Sequence, residues 1–402
     1  MALVGDFLGL EKGRANRITV VIGSLGAGGA ERVVVDLCRH LRDSGREVTL
    51  VTLSGDDPDA YVVPTGVRRE RLEIRRSADS LLQTIWFSLN QLATIRGKIV
   101  SLKPDVVVSF VDQTNVRTAC SLVGTGIRVI VSERIHPAYN PTTPAWLAAR
   151  RLAYPMADIV TVQTESGAEW FRRQTRVRRL IVIPNAVRYP QDLQIDAAEL
   201  ATSVSRPLIL AMGRLARQKG FDFLLEAFYR SRLMENGWHL AILGEGDAHA
   251  TLELQAAALG ITEALTLPGH VSQIGRWLAS AGIFVLSSRY EGFPNALLEA
   301  MQMGKACISF DCPSGPRDLV EHDRNGLLVT PEDVQGLSEA LQRLAADPDL
   351  RKRLGANASD VNRQFSPTSV YGQWLSLVDA VASGNTASLI SHSIPRAPIS
   401  AG

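Results

Sequence analysis

The chain has 402 residues, 46% of them apolar and 21% charged, with a formal net charge of +2. This is the balance of an ordinary globular protein; it excludes disorder, collagen and coiled coil, and gives no global electrostatic case for a nucleic-acid partner. Cys38, Cys120, Cys307 and Cys312 form no CxxC pair and no histidine cluster has zinc spacing, so a structural zinc framework is excluded and a reducing compartment is expected.

A chain this long exceeds one core, so two domains of roughly 150 to 200 residues are expected. The amino terminus lacks an apolar stretch with a cleavage site, and no run approaches the roughly 20 residues that span a bilayer. A cytoplasmic protein is the expectation. Two arginine clusters, Arg68, Arg69, Arg71, Arg75 and Arg76 and the eight arginines between residues 133 and 182, read either as a solvated arginine-rich face or as a surface for a phosphorylated acceptor or anionic lipid headgroups, the last implying peripheral contact on the cytoplasmic face of the inner membrane.

From residue 17 onward, short Val- and Ile-rich runs alternate with helix-period segments. Residues 17–23, 47–53, 105–110, 127–132, 158–162 and 180–183 read as strands covered on both faces, as a parallel sheet requires. The first run enters Gly23-Ser24-Leu25-Gly26-Ala27-Gly28-Gly29-Ala30-Glu31-Arg32 and then an apolar helix. Such a turn can bring backbone N–H groups to a phosphate. It is not a Walker A loop, because Gly29 and Ala30 stand where Lys and Ser or Thr belong. Nor is it a dinucleotide fingerprint, because Glu31 holds the third glycine position and the second strand ends in Thr52-Leu53-Ser54 without a ribose-binding acid. A tight turn and an anion-contacting loop both remain open for it. Residues 79–100 read as an amphipathic helix on Leu82, Ile85, Trp86, Leu89 and Leu92, packing on its own domain or touching a membrane.

The strand pattern restarts after Pro184 and Asn185, at 207–212, 238–243, 264–267, 282–286 and 305–309. Two consecutive doubly wound α/β domains are the simplest account. They divide as 17–187 and 188–367, with a last helix at 368–383 and flexible ends at 1–16 and 384–402. The first strand of the second half delivers Gly213-Arg214-Leu215-Ala216-Arg217-Gln218-Lys219-Gly220 to the carboxyl edge of its sheet, where ligands of such sheets bind. Arginine offers a fork and lysine a point charge, a combination suited to a diphosphate. Two further glycine turns, at Gly244 and at Gly269-His270-Val271, follow strands on the same edge.

The run ending at Leu286 leads through Tyr290 to Glu291-Gly292-Phe293-Pro294-Asn295, and a helix beginning near Asn295 carries Glu299 in its second turn. The N–H groups of Asn295, Ala296 and Leu297 are unpaired donors at that helix start. A carboxylate on each side can accept bonds from the vicinal hydroxyls of rings flanking a phosphate. A paired-carboxylate glycosidase is the competing reading. Against it, Arg214, Lys219 and the helix start all call for an anion. The Asp-Pro-Asp triplets at 57–59 and 347–349 read as turns, not metal sites.

Together the stretch Gly213 to Gly220, the Glu-x7-Glu element from Glu291 to Glu299 and the Gly-Gly-Ala-Glu loop resemble the retaining glycosyltransferases of family four, over about residues 17 to 382. The resemblance implies the GT-B fold: two Rossmann-like domains facing across a cleft, the C-terminal one holding a nucleotide sugar and the N-terminal one the acceptor. It further implies that Arg214 and Lys219 contact the diphosphate, Glu291 the sugar hydroxyls and Glu299 the ribose, with His270 and Val271 near the base. Backbone near Gly28 and Gly29, at Gly213 and at Phe293, Asn295, Ala296 and Leu297 would cradle phosphate and sugar. Many members place a histidine near the end of the strand that corresponds to 127–132, close to the donor sugar. Here Glu133 and Arg134 intervene, and His136 is the candidate. The implied reaction is front-face displacement with retention, from a UDP-linked hexose or N-acetylhexosamine to a lipid-linked saccharide or polysaccharide, needing no metal or other cofactor. An epimerase or phosphorylase on the same fold, or a non-catalytic sugar-nucleotide-binding protein, is the alternative.

Overall fold

The computed structural model describes residues 14–26, 28–54, 58–74, 81–139, 143–187 and 206–386, with backbone alone for 81–86. The chain forms two compact units. One runs to Pro184 and resumes at Val370, and the other comprises Asn185–Ser369. The expected flexible ends fall almost wholly outside the described residues.

In the first unit, β1 (Arg17–Ile22), β2 (Glu47–Thr52), β3 (Arg68–Arg71), β4 (Val106–Phe110), β5 (Arg128–Ser132), β6 (Ile159–Val162) and β7 (Leu180–Val182) make one parallel sheet. Its order is β3-β2-β1-β4-β5-β6-β7. The chain winds outward from β1 to β3, returns, and winds outward again from β4, so the reversal lies between β1 and β4. Continuous apolar runs leave β1, β2, β4 and β6 buried almost throughout, which is why no alternation of polar residues marks them. The strand β3, Arg-Arg-Glu-Arg, is absent from the sequence reading. It lies at the sheet edge, where pairing on one side suffices and no apolar pattern is needed.

The helix Leu81–Leu102 is present, but its packed stripe is Ile95 and Ile99, while Leu89 is largely exposed. Of the expected stripe Leu92 is half-buried and Leu89 does not pack, while Leu82, Ile85 and Trp86 lie outside the described side chains. Toward the end of the chain, the helix Pro367–Ala382 packs on the first unit. Trp374 lies fully buried 5.7 Å from the Phe110 ring, Tyr371 stacks on His40 at 3.9 Å, and Arg46 pairs with Asp379 at 2.7 Å.

The second unit is a parallel sheet of β8 (Leu208–Met212), β9 (His239–Leu243), β10 (Leu265–Thr266), β11 (Ala281–Leu286), β12 (Ala306–Phe310) and β13 (Leu327–Val329), ordered β10-β9-β8-β11-β12-β13. Here the winding reverses between β8 and β11. Separate apolar clusters cover the two faces, one around Phe228, Leu240 and Leu341, the other around Leu210, Phe284 and Met301. The three-residue β13 is also missing from the sequence reading, being too short to show a period. At the triplet 347–349, Asp347 caps the helix Pro348–Ala358 by accepting from the Leu350 N–H at 2.8 Å. That triplet is a helix start and not a free turn. Asp57 lies outside the described residues, and Asp59 pairs with Arg69 and Arg71.

No helix among the described residues is long and apolar enough to cross a membrane.

Candidate active site

Where the winding of an open α/β sheet reverses, the loops at the carboxyl ends of the two central strands diverge and leave a crevice. In the second unit those are the loops after β8 and β11. The turn that follows β8 requires glycine: Gly220 has φ +62°, and a Cβ there would stand 2.0 Å from the Ser287 carbonyl oxygen. Only a backbone without a side chain lets the two loops touch. They are then stitched together, since Arg289 N–H donates to Gln218 O at 2.8 Å, Gln218 Nε2 to Tyr290 O at 3.0 Å and Ser287 Oγ to Lys219 O at 3.0 Å. Outward along the same edge, Gly213 N–H donates to Leu243 O, Leu215 N–H to Glu245 O and Gly244 N–H to Gly269 O, all within 2.9 Å. On the other side Glu291 N–H donates to Pro313 O at 3.3 Å. Five loops thus form one bonded rim.

On that rim the structure brings Lys219 and Glu291, far apart in sequence, into an ion pair of 2.6 Å. Ser288 Oγ donates to the same carboxylate oxygen, Oε1, at 2.6 Å. Glu291 is 4% exposed, so its charge is held in place by a cation and a hydroxyl and not by water. Its Oε2 has no partner among the described residues. Arg214 is exposed, and its guanidinium likewise has no partner among them. Cys312 lies against this pair. Burial first, then the Glu291 charge, hold its thiol up, so it is no nucleophile.

The helix Asn295–Gln302 starts as expected and places buried Glu299 in its second turn. Of its three expected donors, the Asn295 N–H is taken by Phe293 O at 2.9 Å, closing a tight turn. That correction leaves the N–H groups of Ala296 and Leu297. Asn295 Oδ1 accepts from Asn185 Nδ2 at 2.7 Å, which ties the first residue of the unit to this helix start. The Phe293 ring is buried, 5.9 Å from Phe365, so only its backbone faces the loop. His270 is exposed, with its N–H 3.4 Å from Glu245 Oε1, while Val271 packs on the core beneath.

In the first unit the loop after β1 forms a tight turn, one of the two readings open for it. The Gly28 N–H donates to Gly26 O at 2.8 Å, and the Glu31 carboxylate lies where a Gly28 Cβ would stand. Burial pushes the Glu31 carboxyl up. The helix Gly29–Asp43 therefore starts under its own acid, and Gly28 has no N–H to offer a ligand; Gly29 is exposed beside it. After β5, His136 is buried. Its Nδ1 accepts from the Ala138 N–H at 3.3 Å and its Nε2–H donates to Ser166 O at 3.3 Å, so the imidazole serves this loop, and burial lowers its pKa.

Several residues of these sites escape sequence reasoning. Ser288 is one serine among many, and only the fold turns it onto Glu291. Arg289 makes a bidentate pair with Asp222 at 2.8 and 2.6 Å and stacks over Phe223 at 4.1 Å, locking the base of the rim. Glu133 and Arg150 are both buried, paired at 3.1 Å, with Tyr154 donating to the same carboxylate; burial raises the Glu133 pKa to about 7. No spacing in the sequence links positions 133, 150 and 154. No group of three or more His, Cys, Asp or Glu among the described residues could hold a metal ion.

Comparison with known proteins extends this picture. A model of glycosyl transferases group 1 matches residues 194–361 and a glycosyl transferase 4-like domain matches residues 28–186. A Campylobacter jejuni GalNAc-alpha-(1->4)-GalNAc-alpha-(1->3)-diNAcBac-PP-undecaprenol alpha-1,4-N-acetyl-D-galactosaminyltransferase is 27% identical, over 91% of this chain and 99% of its own. Among solved structures, a sucrose-phosphate synthase from Thermosynechococcus elongatus superposes with a TM-score of 0.77 at 19% identity, over 92% of this chain and 100% of its own. Anabaena HepE, in complex with UDP and glucose, superposes with a TM-score of 0.75 at 18% identity, over 90% of this chain and 99% of its own.

Proposed function

From the premise that the chain belongs to the glycosyltransferases of family-four type, with the GT-B fold, we propose that it moves a hexose or N-acetylhexosamine from a UDP-sugar to a lipid-linked saccharide or polysaccharide, with retention of configuration. The observation that carries this reading is the Lys219–Glu291–Ser288 group at the reversal point of the second sheet, beside the unpartnered Arg214. An anion suits a rim that carries Arg214, Lys219 and the two N–H groups of a helix start, and a polyhydroxyl ring suits a buried carboxylate that keeps one oxygen open. The UDP named in the HepE structure is in keeping with a UDP-linked donor, and the PP-undecaprenol in the name of the Campylobacter relative with a lipid-linked acceptor.

In this mechanism Arg214 and Lys219 stabilise the charge that grows on the departing diphosphate, aided by the N–H groups of Ala296 and Leu297. Glu291 Oε2 accepts from a sugar hydroxyl and orients the anomeric carbon, and Glu299 accepts from the ribose. The acceptor hydroxyl attacks on the face the diphosphate leaves, and a diphosphate oxygen takes its proton. No side chain acts as general base, and charge neutralisation by cations replaces a divalent ion.

Saturation-transfer NMR against UDP-, GDP- and ADP-sugars, with transfer to a short polyprenyl-diphosphate sugar followed in parallel, tests the reading. Binding of a UDP-sugar with acceptor-dependent turnover supports it, as does an axial glycosidic product. Binding of no nucleotide sugar, or an inverted product, overturns it. Treatment with EDTA leaves the rate unchanged; a loss restored by manganese refutes the metal-independent step.

A further inference from the structure

We propose that the amino-terminal edge of the first sheet, around β6 and β7, is a docking surface for an anionic phospholipid bilayer. The two arginine clusters of the sequence differ in what the fold does with them. In the β3 cluster, Arg68 pairs with Glu70, while Arg69 and Arg71 share Asp59. Arg75 and Arg76 lie outside the described residues. Each described arginine of that cluster is thus held by an acid. In the second cluster Arg150 pairs with Glu133 and Asp112, Arg172 with Glu165 and Arg173 with Glu169, and a different subset is left over. Arg176, Arg178 and Arg179, in the connection from the helix Glu165–Gln174 to β7, are exposed, and their guanidinium groups have no partner among the described residues. Three adjacent, unpaired charges repel one another and lower the stability of the fold slightly, a penalty that a polyanion relieves.

Charge alone would suit any polyanion, and apolar residues on the same edge choose between them. Leu152 is 71% exposed and Met156 44% exposed. The helix Pro144–Ala153 and the turn Tyr154–Met156 carry them down to this edge, just before β6. The edge is continuous: Arg151 donates to Gln174 at 3.2 Å, and the Val160 N–H donates to Arg179 O at 2.9 Å, so Met156 and Arg179 flank neighbouring strand starts. An aliphatic pair beside a basic rim matches the layered chemistry of a membrane interface, where acyl carbon lies under phosphate. A soluble acidic polysaccharide or nucleic acid offers nothing to Leu152 and Met156. The donor rim belongs to the other unit, and the use of this surface rests on the reading that the acceptor is held in a membrane.

Flotation of the full chain with phosphatidylcholine vesicles, with and without phosphatidylglycerol, tests the proposal. The chain floats only with the anionic vesicles and is released by salt. At ~1 kcal/mol for each charge near the surface, the triple substitution Arg176→Gln, Arg178→Gln, Arg179→Gln lowers the partition coefficient on the order of a hundredfold. Leu152→Ser with Met156→Ser lowers it as well and abolishes insertion into a lipid monolayer. Circular dichroism and UDP-sugar binding stay unchanged in both variants, as does transfer to a short-chain acceptor in solution. Equal flotation of the triple variant and the unaltered chain overturns the proposal. So does heparin binding that matches vesicle binding and ignores the Leu152 and Met156 substitutions, which would assign the face to a soluble polyanion. If no transfer is found with any donor but the charge-dependent flotation persists, the transferase reading fails and the docking surface stands.

Discussion

Removing the Lys219 ammonium is the perturbation that bears on both stability and binding. The Nζ to Oε1 separation of 2.6 Å, with Glu291 4% exposed, makes this a mostly desolvated pair. Lys219→Ala leaves the carboxylate without its cation. Breaking a fully buried pair this way costs about 3–5 kcal/mol. Here the Ser288 bond persists and the Lys219 side chain is 18% exposed, so a penalty of about 2 kcal/mol is expected after allowing for solvent. Glu291→Gln alone should cost less, because an exposed-tipped lysine can turn to water. The double variant should be more stable than the sum of the two singles predicts, by about 1–2 kcal/mol of coupling. Urea unfolding of the four proteins measures this cycle. Isothermal calorimetry with UDP measures the second consequence: Lys219→Ala weakens affinity by roughly 10- to 100-fold, the worth of one charge-assisted hydrogen bond. Additive stabilities together with an unchanged UDP affinity would show that the pair is a solvated surface contact and that the diphosphate binds elsewhere.

Three further outcomes follow from the geometry. Gly220→Ala drives a Cβ to within 2.0 Å of the Ser287 carbonyl and should destabilise the second unit by at least about 2–3 kcal/mol, read from its urea midpoint; a change under about 0.5 kcal/mol would mean that the loops are not in contact. Because burial raises the Glu133 pKa from 4.5 to about 7, the unfolded chain sheds this proton first as pH rises. The stability that Glu133 contributes is then full below about pH 4.5 and is lost as pH climbs through about 7, and the loss is absent in Glu133→Gln; identical pH profiles for the two proteins refute the assignment. Trp374→Ala opens a cavity against Phe110 and should cost the first unit about 3–5 kcal/mol while leaving UDP affinity unchanged; calorimetry and unfolding of the same sample separate the two.

The amino-acid sequence by itself determined the two α/β layers and the glycine loops that line the carboxyl edge of the second sheet. Uninterrupted Val and Ile runs can be satisfied only by strands covered on both faces, and glycines followed by cations after such strands can only sit at the carboxyl edge. It also announced the helix at Asn295, because a Gly-Phe-Pro-Asn turn followed by apolar residues at helical spacing admits little else. What it could not announce are relations that exist only when distant segments meet. Edge strands β3 and β13 need a partner and no pattern of their own. The Asn295 N–H and the N–H of Gly28 look unpaired in a chain read linearly, yet each is taken by a carbonyl two residues back, a closure set by the backbone path and not by residue type. The two arginine clusters read alike in sequence; Asp59 and Glu70 pair with the described arginines of one, while in the other no acid among the described residues pairs with Arg176, Arg178 or Arg179. Tertiary structure alone chose Ser288 from among the serines and set it on Glu291, because only the folded rim fixes which hydroxyl stands 2.6 Å from that carboxylate.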